Sequence, residues 1–247
     1  MINYYDENTN NNKVSDFSKY IVKREWVFQK ILHCINTRNT AKTCGLLILG
    51  GSGSGKSTIC RQLTNNIKND CLKVQKLKSL LLASHFCSGA DIDSLNLAKF
   101  IFNVHQSILK SPQFGEIYRK SINTSGVCNL FLFDSLCAYP DKAFKNGILL
   151  PLLSFPPPNE NMFILMDSID ENLLSNYMSD NLPHILNSDS FNKQRQGSRN
   201  ISDLLSAHHN FFPEWLSLVC TCRKENEMVV RKFMGFRKFY LEKTKCK

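Results

Sequence analysis

The segment LLILGGSGSGKST at residues 46–58 constrains the fold of this chain more than any other part of the sequence. Its first four residues are apolar and predict a short buried strand, whereas Ile59, Leu63 and Ile67 are spaced four apart and predict one face of a helix. The loop between them, residues 50–57, matches GxxxxGK[ST] without a gap. Glycines let successive backbone N–H groups point at phosphate oxygens, and a helix N-terminus adds its positive dipole. We therefore expect this loop to hold the phosphates of a nucleotide.

The side chains of this loop have distinct expected roles. Lys56 is expected to reach the β- and γ-phosphates, and the hydroxyl of Ser57 is expected to bind Mg²⁺. The expected nucleotide-binding residues are Gly50, Gly51, Ser52, Gly53, Ser54, Gly55, Lys56, Ser57 and Thr58. No residue pattern in the sequence distinguishes adenine from guanine, so the base preference stays open; the absence of an NKxD-type guanine motif slightly favours ATP.

A phosphate loop of this kind also needs an acidic residue at the end of a strand to hold Mg²⁺. Two segments offer one, because LFLFD ends at Asp134 and MFILMD ends at Asp167. The strand pattern alone does not distinguish them, but the second segment carries three carboxylates within five residues, at Asp167, Asp170 and Glu171. We therefore favour Asp167 for the metal ion and Asp170 or Glu171 for polarising the attacking water. Asp134 is then a strand or helix terminus at the surface.

Arg223 ends another apolar run, LSLVCTCR. In a parallel sheet the carboxyl ends of the strands face the ligand crevice, so an arginine there can sense the γ-phosphate. The alternative is a solvated basic residue beside Lys224. Together with Lys56, Asp170 and Glu171, Arg223 completes the set of residues that we expect to act in hydrolysis.

Buried strands and amphipathic helices alternate along the chain. The predicted strands lie at residues 44–50, 82–87, 128–136, 161–171 and 215–223. The predicted helices lie at residues 20–35, 57–67, 95–109, 141–151 and 203–212. Pro151 is expected to end the fourth helix, and a polar connection is expected before the second strand. The alternation predicts an α/β fold, a P-loop NTPase three-layer α/β/α sandwich with a mostly parallel sheet.

The sequence predicts one P-loop domain at residues 18–242, with an Asn-rich disordered tail at 1–17 and a polar loop at 187–200. No apolar run is long enough for a membrane span, and the N-terminus shows no signal-peptide pattern. The ten cysteines are spread through apolar segments without a CxxC pair. This pattern favours reduced, buried thiols in the cytoplasm over a zinc site.

The net charge of +10 admits nucleic acid or an anionic membrane surface as a partner. The basic residues are dispersed, however, and the densest cluster lies at residues 231–247. We interpret it as a solvated surface and a truncated end, and we do not expect nucleic-acid binding. The adjacent His208 and His209 do not form a helical metal pair, and His85 lies in a predicted strand, where it is expected to pack in the core.

Several segments beyond the nucleotide motifs follow one another in an order that is typical of a known family. They are REWVFQKILHCI, KTCGLLILGGSGSGKST, SHFCSG, DKAFKNGILLPLLSFPPPNENMFILMDSIDE, HHNFFPEWLSLVCTCRKEN and FMGFRKFYL. Together they resemble the nucleotide-binding domain of ankyrin repeat domain-containing protein 50 and, more distantly, that of the TANC scaffold proteins. Both groups are STAND-class signalling P-loop NTPases, and the resemblance covers roughly residues 20–240.

The resemblance implies roles for the residues that match the motifs of this family. The matching positions are Lys56 and Ser57 in Walker A, Asp167 in Walker B, Asp170 and Glu171 in the acidic pair after it, and Arg223 after the sensor strand. Arg24 belongs to a motif, REW, that lies near the base and sugar in this class. The resemblance also implies ATP and Mg²⁺ as ligands and a nucleotide-dependent switch with slow turnover.

Members of this family continue into a helical or winged-helix lid and a long ankyrin array, neither of which is found in the sequence up to Lys247. The chain is therefore expected to be a fragment of a larger protein or a short paralogue. Three other functions stay open at this point: a non-catalytic scaffold that keeps the fold, a small-molecule kinase, and nucleic-acid binding that weakens with salt. Protein partners and the oligomeric state do not follow from the sequence.

Overall fold

The computed structural model describes residues 24–41, 43–65, 71–171 and 200–243. Within these ranges, five parallel strands form one sheet. The strands are β1 (Gly45–Gly50), β2 (Leu81–Phe86), β3 (Met162–Asp167), β4 (Leu216–Cys222) and β5 (Arg237–Leu241). Their order in the sheet is β2-β3-β4-β1-β5. The strand β4 therefore lies between the strand that leads into the glycine loop and the strand that ends at Asp167.

Helices cover both faces of this sheet. One face carries α1 (Glu25–Asn36), α3 (Lys56–Thr64) and α4 (Leu72–Leu80), and the short α2 (Arg38–Ala41) follows α1. The other face carries α5 (Leu97–Lys110), α6 (Gly115–Thr124), α7 (Phe133–Ala138), α8 (Pro140–Lys142), α9 (Leu150–Ser154), α10 (Ile201–His208) and α11 (Glu227–Lys232). A π-helical segment, Ala143–Leu149, joins α8 to α9. The architecture is thus the three-layer α/β/α sandwich with a parallel sheet that the sequence predicts.

The side chains of β1 alternate between two hydrophobic clusters, one on each face of the sheet. Leu46 and Ile48 belong to the hydrophobic cluster under α1, α3 and α4, whereas Leu47 and Leu49 belong to the cluster under the helices of the other face. Successive side chains of a strand point to opposite faces, so a strand that is covered on both faces is apolar throughout. The strands β1, β3 and β4 are buried along their full length for this reason.

The prediction of a strand at residues 128–136 is wrong, because this segment is helical. A 3₁₀ turn, Val127–Phe131, leads into α7, and only some of its apolar side chains reach the core. Phe131 and Leu136 are buried, whereas Leu132 and Phe133 are 60% and 71% exposed. A short apolar run carries no period that separates a strand from a helix, which is why the pattern misled.

The helix that was predicted to stop at Pro151 continues to Ser154. Proline has no N–H to donate to the carbonyl four residues earlier, here that of Gly147. The hydroxyl of Tyr118 donates to this carbonyl instead, at 2.8 Å, so the oxygen is satisfied and the helix passes the proline. A Cβ atom on Gly147 would lie 2.5 Å from the ring of Phe131, so the close approach at this turn requires glycine.

Further elements differ from the predictions. The expected polar connection before β2 is the helix α4, and α2, α6, α11 and β5 were not predicted. β5 pairs with β1, so part of the basic C-terminal cluster is a strand of the sheet. The predicted tail at 1–17 and the polar loop at 187–200, apart from Asn200, lie outside the described residues. No helix in the described part of the chain is long and apolar enough to cross a bilayer.

Candidate functional site

The glycine-rich loop connects β1 to α3 at the carboxyl edge of the sheet. Gly53 and Gly55 have φ angles of +72° and +90°, a region that residues with a Cβ atom rarely enter. Gly55 is the N-cap of α3, so the loop turns directly into the helix. At the start of the loop, a Cβ atom on Gly50 would lie 2.4 Å from Oγ of Ser54, because the loop folds tightly back on its own strand. The tip of the loop, at Ser52, is exposed.

Lys56 is the first residue of α3, and its side chain is buried. Its ammonium donates to the carbonyl oxygens of Gly50 and Gly51, at 2.6 and 3.0 Å. A buried ammonium needs such partners because its desolvation is costly. Ser57 follows at the edge of a cavity and is partly buried, whereas Thr58 is exposed. The loop therefore concentrates a positive charge and a helix N-terminus, the two features that bind anions.

Arg24, the residue that precedes α1, contacts the same loop. Its guanidinium donates to the carbonyl oxygen of Ser54 at 2.5 Å and to that of Glu242 at 3.2 Å. A Cβ atom on Gly55 would lie 3.4 Å from Nη1 of this arginine. Arg24 thus joins the glycine loop to the chain just after β5.

A cavity of about 390 Å³ opens beside the loop, at the carboxyl ends of β2 and β3. It is lined by Ser57, Arg61, Phe86, Cys87, Ser88, Gly89, Ala90, Asp167, Ser168 and Glu171. The structure therefore brings Ser57, Asp167 and Glu171 to one cavity, although Ser57 lies far from the other two in the sequence. The alternative acid, Asp134, is exposed in the first turn of α7 and does not line this cavity.

The carboxylate of Asp167 is buried beside two neighbouring elements. Its Oδ1 accepts a hydrogen bond from the hydroxyl of Thr221 on β4, at 2.6 Å. Cys60 on α3 is a neighbour of this carboxylate; burial, and then the charge of Asp167, raise the pKa of the Cys60 thiol. Neither Thr221 nor Cys60 was predicted from the sequence. The available signal for Thr221 was a hydroxyl near the end of a largely apolar strand, two residues before Arg223.

Arg223, which follows β4, lies against both acids after β3. Its guanidinium forms an ion pair with Glu171, and its Nε lies 3.7 Å from Oδ2 of Asp170. The backbone N–H of Arg223 donates to Oδ1 of Asp170 at 3.3 Å, and that of Gly89 donates to Oε2 of Glu171 at 3.3 Å. Burial raises the pKa of Asp170, whereas the backbone hydrogen bonds and the charge of Arg223 oppose the shift.

These residues can hold a nucleoside triphosphate with Mg²⁺. The hydroxyl of Ser57 and the carboxylate of Asp167 are oxygen donors, which Mg²⁺ prefers. Mg²⁺ usually keeps several waters and binds one or two protein groups plus substrate phosphates. Among the described residues, no group of three or more His, Cys, Asp or Glu side chains could enclose a metal ion. The donor set therefore fits a metal ion that is shared with phosphates.

The histidines take other roles. Nε2 of His85 is hydrogen-bonded to the carbonyl of Ser94 at 2.7 Å, and burial lowers the pKa of this core histidine. His208 lies 3.1 Å from Asp141, and His209 is bonded to a backbone carbonyl. None of these three side chains lines the cavity.

Two solved structures are similar to this chain at low identity. A dimeric bacterial ABC transporter cassette is 14% identical over 80% of this chain and 81% of its own, with a TM-score of 0.33. A chain of Drosophila ORC bound to AT-rich DNA and Cdc6 is 10% identical over 94% of this chain, with a TM-score of 0.37. This chain spans 63% of the length of that ORC chain. Because both TM-scores are low, the fold assignment rests on the strand order and the glycine loop.

A family-level match covers most of the domain. Residues 23–202 match the family described as Nephrocystin 3, N-terminal, which is more than half of the 247 residues. The matched region contains the glycine loop, β2 and the strand that ends at Asp167. Together with the parallel sheet and the loop between β1 and α3, this match indicates a P-loop NTPase-like domain. The chain belongs to the Nephrocystin 3, N-terminal family.

Proposed function

We propose that this domain binds ATP with Mg²⁺ on the glycine loop and hydrolyses it slowly, as a nucleotide-dependent switch of the STAND type. The observation that carries the proposal is that Ser57, Asp167 and Glu171 line one cavity beside the glycine loop. Phosphoryl transfer needs a phosphate-binding loop, oxygen ligands for a metal ion and a group that orients the nucleophile. Candidates for all three lie at the carboxyl edge of a parallel sheet, where ligands of open α/β folds bind.

The phosphates would be bound by the backbone of residues 50–57 and by Lys56. The ammonium of Lys56 now donates to the carbonyls of Gly50 and Gly51, and it would exchange these partners for phosphate oxygens. Ser57 and Asp167 would hold Mg²⁺. When bound, the metal ion neutralises charge on the phosphates and stabilises the charge that develops on the oxygens.

The contacts of Arg223 support slow hydrolysis. Glu171, a candidate for orienting the attacking water, is paired with this arginine, and Asp170 lies beside it. The guanidinium therefore occupies an oxygen of Glu171 that would otherwise be available to orient a water molecule. We propose that Arg223 exchanges Glu171 for the γ-phosphate when a nucleoside triphosphate is bound. This gives two arrangements with different nucleotide contacts, which a switch requires.

The binding step is tested with the folded chain, Mg²⁺ and fluorescent analogues of ATP and GTP. We expect saturable binding of the ATP analogue, and a loss of affinity on the order of 100-fold in Lys56→Ala, since a charge-assisted contact to phosphate is removed. Lys120→Ala, which removes an exposed lysine from α6, should bind like the wild type. A folded wild-type chain that binds neither analogue overturns the proposal.

The ion pair between Arg223 and Glu171 also favours a second candidate, a scaffold that binds nucleotide without turnover. Single-turnover release of phosphate from bound ATP separates the two functions. Slow release that disappears in Glu171→Gln and Asp170→Asn would support the switch. Tight binding with no release above the uncatalysed rate would support the scaffold.

A further inference from the structure

We propose that Thr221 is a positioning residue, which orients the metal-binding carboxylate of Asp167 and holds the turn after β3 in place. The inference deepens the proposed function and rests on it. Thr221 does not line the cavity, so it would act on the bound metal ion only through its neighbours.

The hydroxyl of Thr221 is fully buried and its orientation is determined by its two partners. Its single hydrogen is donated to Oδ1 of Asp167 at 2.6 Å, and its oxygen accepts the backbone N–H of Ser168 at 2.8 Å. A hydroxyl has one hydrogen to donate, so these two contacts fix its direction. Every other side chain of the strand near this point is apolar or a cysteine, so packing alone does not call for a hydroxyl here.

The same residue holds an unusual turn. Ser168 has a φ of +54° and is the one non-glycine residue with a positive φ in the described ranges. Non-glycine residues adopt this conformation rarely and at a cost, unless their surroundings determine it. The side chain of Thr221 binds the N–H of Ser168, and its carbonyl accepts the N–H of Ile169 at 3.0 Å. This turn sets the positions of Asp170 and Glu171.

The carboxylate of Asp167 is therefore held from β4. Thr221 donates the hydrogen bond that the structure shows to this carboxylate, at 2.6 Å. The remaining surface of the carboxylate faces the cavity, which Asp167 lines together with Ser57. Residues that orient a metal ligand typically change metal affinity about 10- to 100-fold when they are replaced.

The first experiment measures how the affinity for a fluorescent ATP analogue depends on the concentration of Mg²⁺. In Thr221→Val, the Mg²⁺ concentration at half effect should rise about 10- to 100-fold, while affinity in EDTA stays as in the wild type. Thr221→Ser, which keeps the hydroxyl, should restore the wild-type curve. Ser217→Ala removes another buried hydroxyl from the start of β4 and should leave the curve unchanged. If the valine variant does not fold, Thr221→Ala provides the same comparison.

The second experiment uses the nucleotide-free chain and measures amide hydrogen exchange. The N–H of Ser168 should exchange faster in Thr221→Val than in the wild type or in Thr221→Ser, because its acceptor is removed. Unchanged exchange at Ser168, or a Mg²⁺ curve of the valine variant that coincides with the wild type, overturns the inference. A wild-type chain that binds no nucleotide overturns the proposed function and the inference together, so the two failures are distinguishable.

Discussion

Two networks of buried polar groups differ in what surrounds them. In the helical layer, Nδ1 of His105 donates to the hydroxyl of Tyr118 at 2.9 Å, and this hydroxyl donates to the carbonyl of Gly147 at 2.8 Å. The imidazole stacks on Phe131 with 3.7 Å between ring centroids. At the carboxyl edge of the sheet, by contrast, the carboxylates of Asp167 and Glu171 line a cavity, and Arg223 forms an ion pair with Glu171 beside it.

The difference shows which buried polar groups indicate a site. The network of His105, Tyr118 and Gly147 is uncharged, and its members hydrogen-bond one another. It supplies a donor to the carbonyl of Gly147, which Pro151 leaves without its helical partner, and so contributes to stability. At the carboxyl edge of the sheet, the charged groups of Asp167, Asp170 and Arg223 are partly removed from water. The free-energy cost of removing charges from water offsets much of their attraction, so such groups contribute less to stability than the uncharged network does. Such an arrangement is typical of positions where a ligand completes the interactions. We therefore expect changes in the first network to affect folding and changes in the second to affect nucleotide binding.

The largest expected effect is the loss of Mg²⁺-dependent binding in Asp167→Ala. Removing the carboxylate should weaken binding of a fluorescent Mg–ATP analogue about 100-fold, or about 3 kcal/mol, because the metal ion loses its charged protein ligand. Asp134→Ala, at the exposed start of α7, is the matched control and should bind normally. Equal losses in both variants, or a loss in the control alone, would contradict the choice of Asp167.

The next effect concerns folding alone. Tyr118→Phe should lower the free energy of unfolding by about 2–3 kcal/mol, because both Nδ1 of His105 and the carbonyl of Gly147 lose a buried partner. Urea denaturation measures this loss. The variant should bind nucleotide like the wild type under conditions where it is folded. A clear change in nucleotide affinity would show that the two networks are coupled.

A pH dependence follows from His105, whose pKa is lowered by burial from 6.5 to about 4. As the pH falls, the unfolded chain takes up this proton before the folded chain does, so stability is complete above about pH 7 and declines towards pH 4. Between about pH 7 and about pH 4.5 the loss from this group is about 2 kcal/mol. Urea unfolding at several pH values measures it.

His85 and His209 also have lowered pKa values and add to the decline in the same direction. The variant His105→Leu isolates the contribution of one group, because it removes the imidazole and keeps the bond between Tyr118 and Gly147. Its stability should fall less steeply with decreasing pH than that of the wild type. Parallel curves for the two chains would refute the role of His105.

The smallest expected effect on stability is that of Arg223→Ala. The arginine side chain is 52% exposed, so the loss of its ion pairs should change the free energy of unfolding by less than about 1 kcal/mol. The preference for ATP over ADP should nevertheless decrease, since this arginine is the proposed γ-phosphate contact. Competition titrations with both nucleotides measure the preference, and Arg231→Ala, which removes an exposed pair with Glu227, serves as the control.

Local pattern was sufficient to predict the sheet and the loop. The apolar run before the glycines is buried on both faces of β1, and the spacing after them gives α3. The same holds for β3, where the apolar run ends at the acid. In these segments the local preference and the tertiary environment agree, which is why a short stretch of sequence predicts them.

Long-range contacts explain what the sequence did not reveal. Thr221 and Asp167 are 54 residues apart, and their bond depends on β4 lying next to β3, which no local period encodes. The carbonyl of Gly147 is satisfied by Tyr118, 29 residues away, so a helix continues through Pro151 against its local preference. The composition of residues 128–136 is compatible with a strand or a helix. The segment is helical because it packs among the helices on one face of the sheet, a tertiary position that the local sequence does not encode.

The contact between Arg24 and Glu242 joins residues that are 218 positions apart. The strand β1 has β4 on one side and β5 on the other, so both of its neighbours are synthesised long after it. On the ribosome, the glycine loop therefore emerges well before the strands that will flank it. Pairing over such separations is slow and leaves apolar strands uncovered in the meantime. We expect a nascent chain to acquire nucleotide affinity only after β5 has left the exit tunnel, so the pairing of β5 with β1 is a late step in the maturation of the domain.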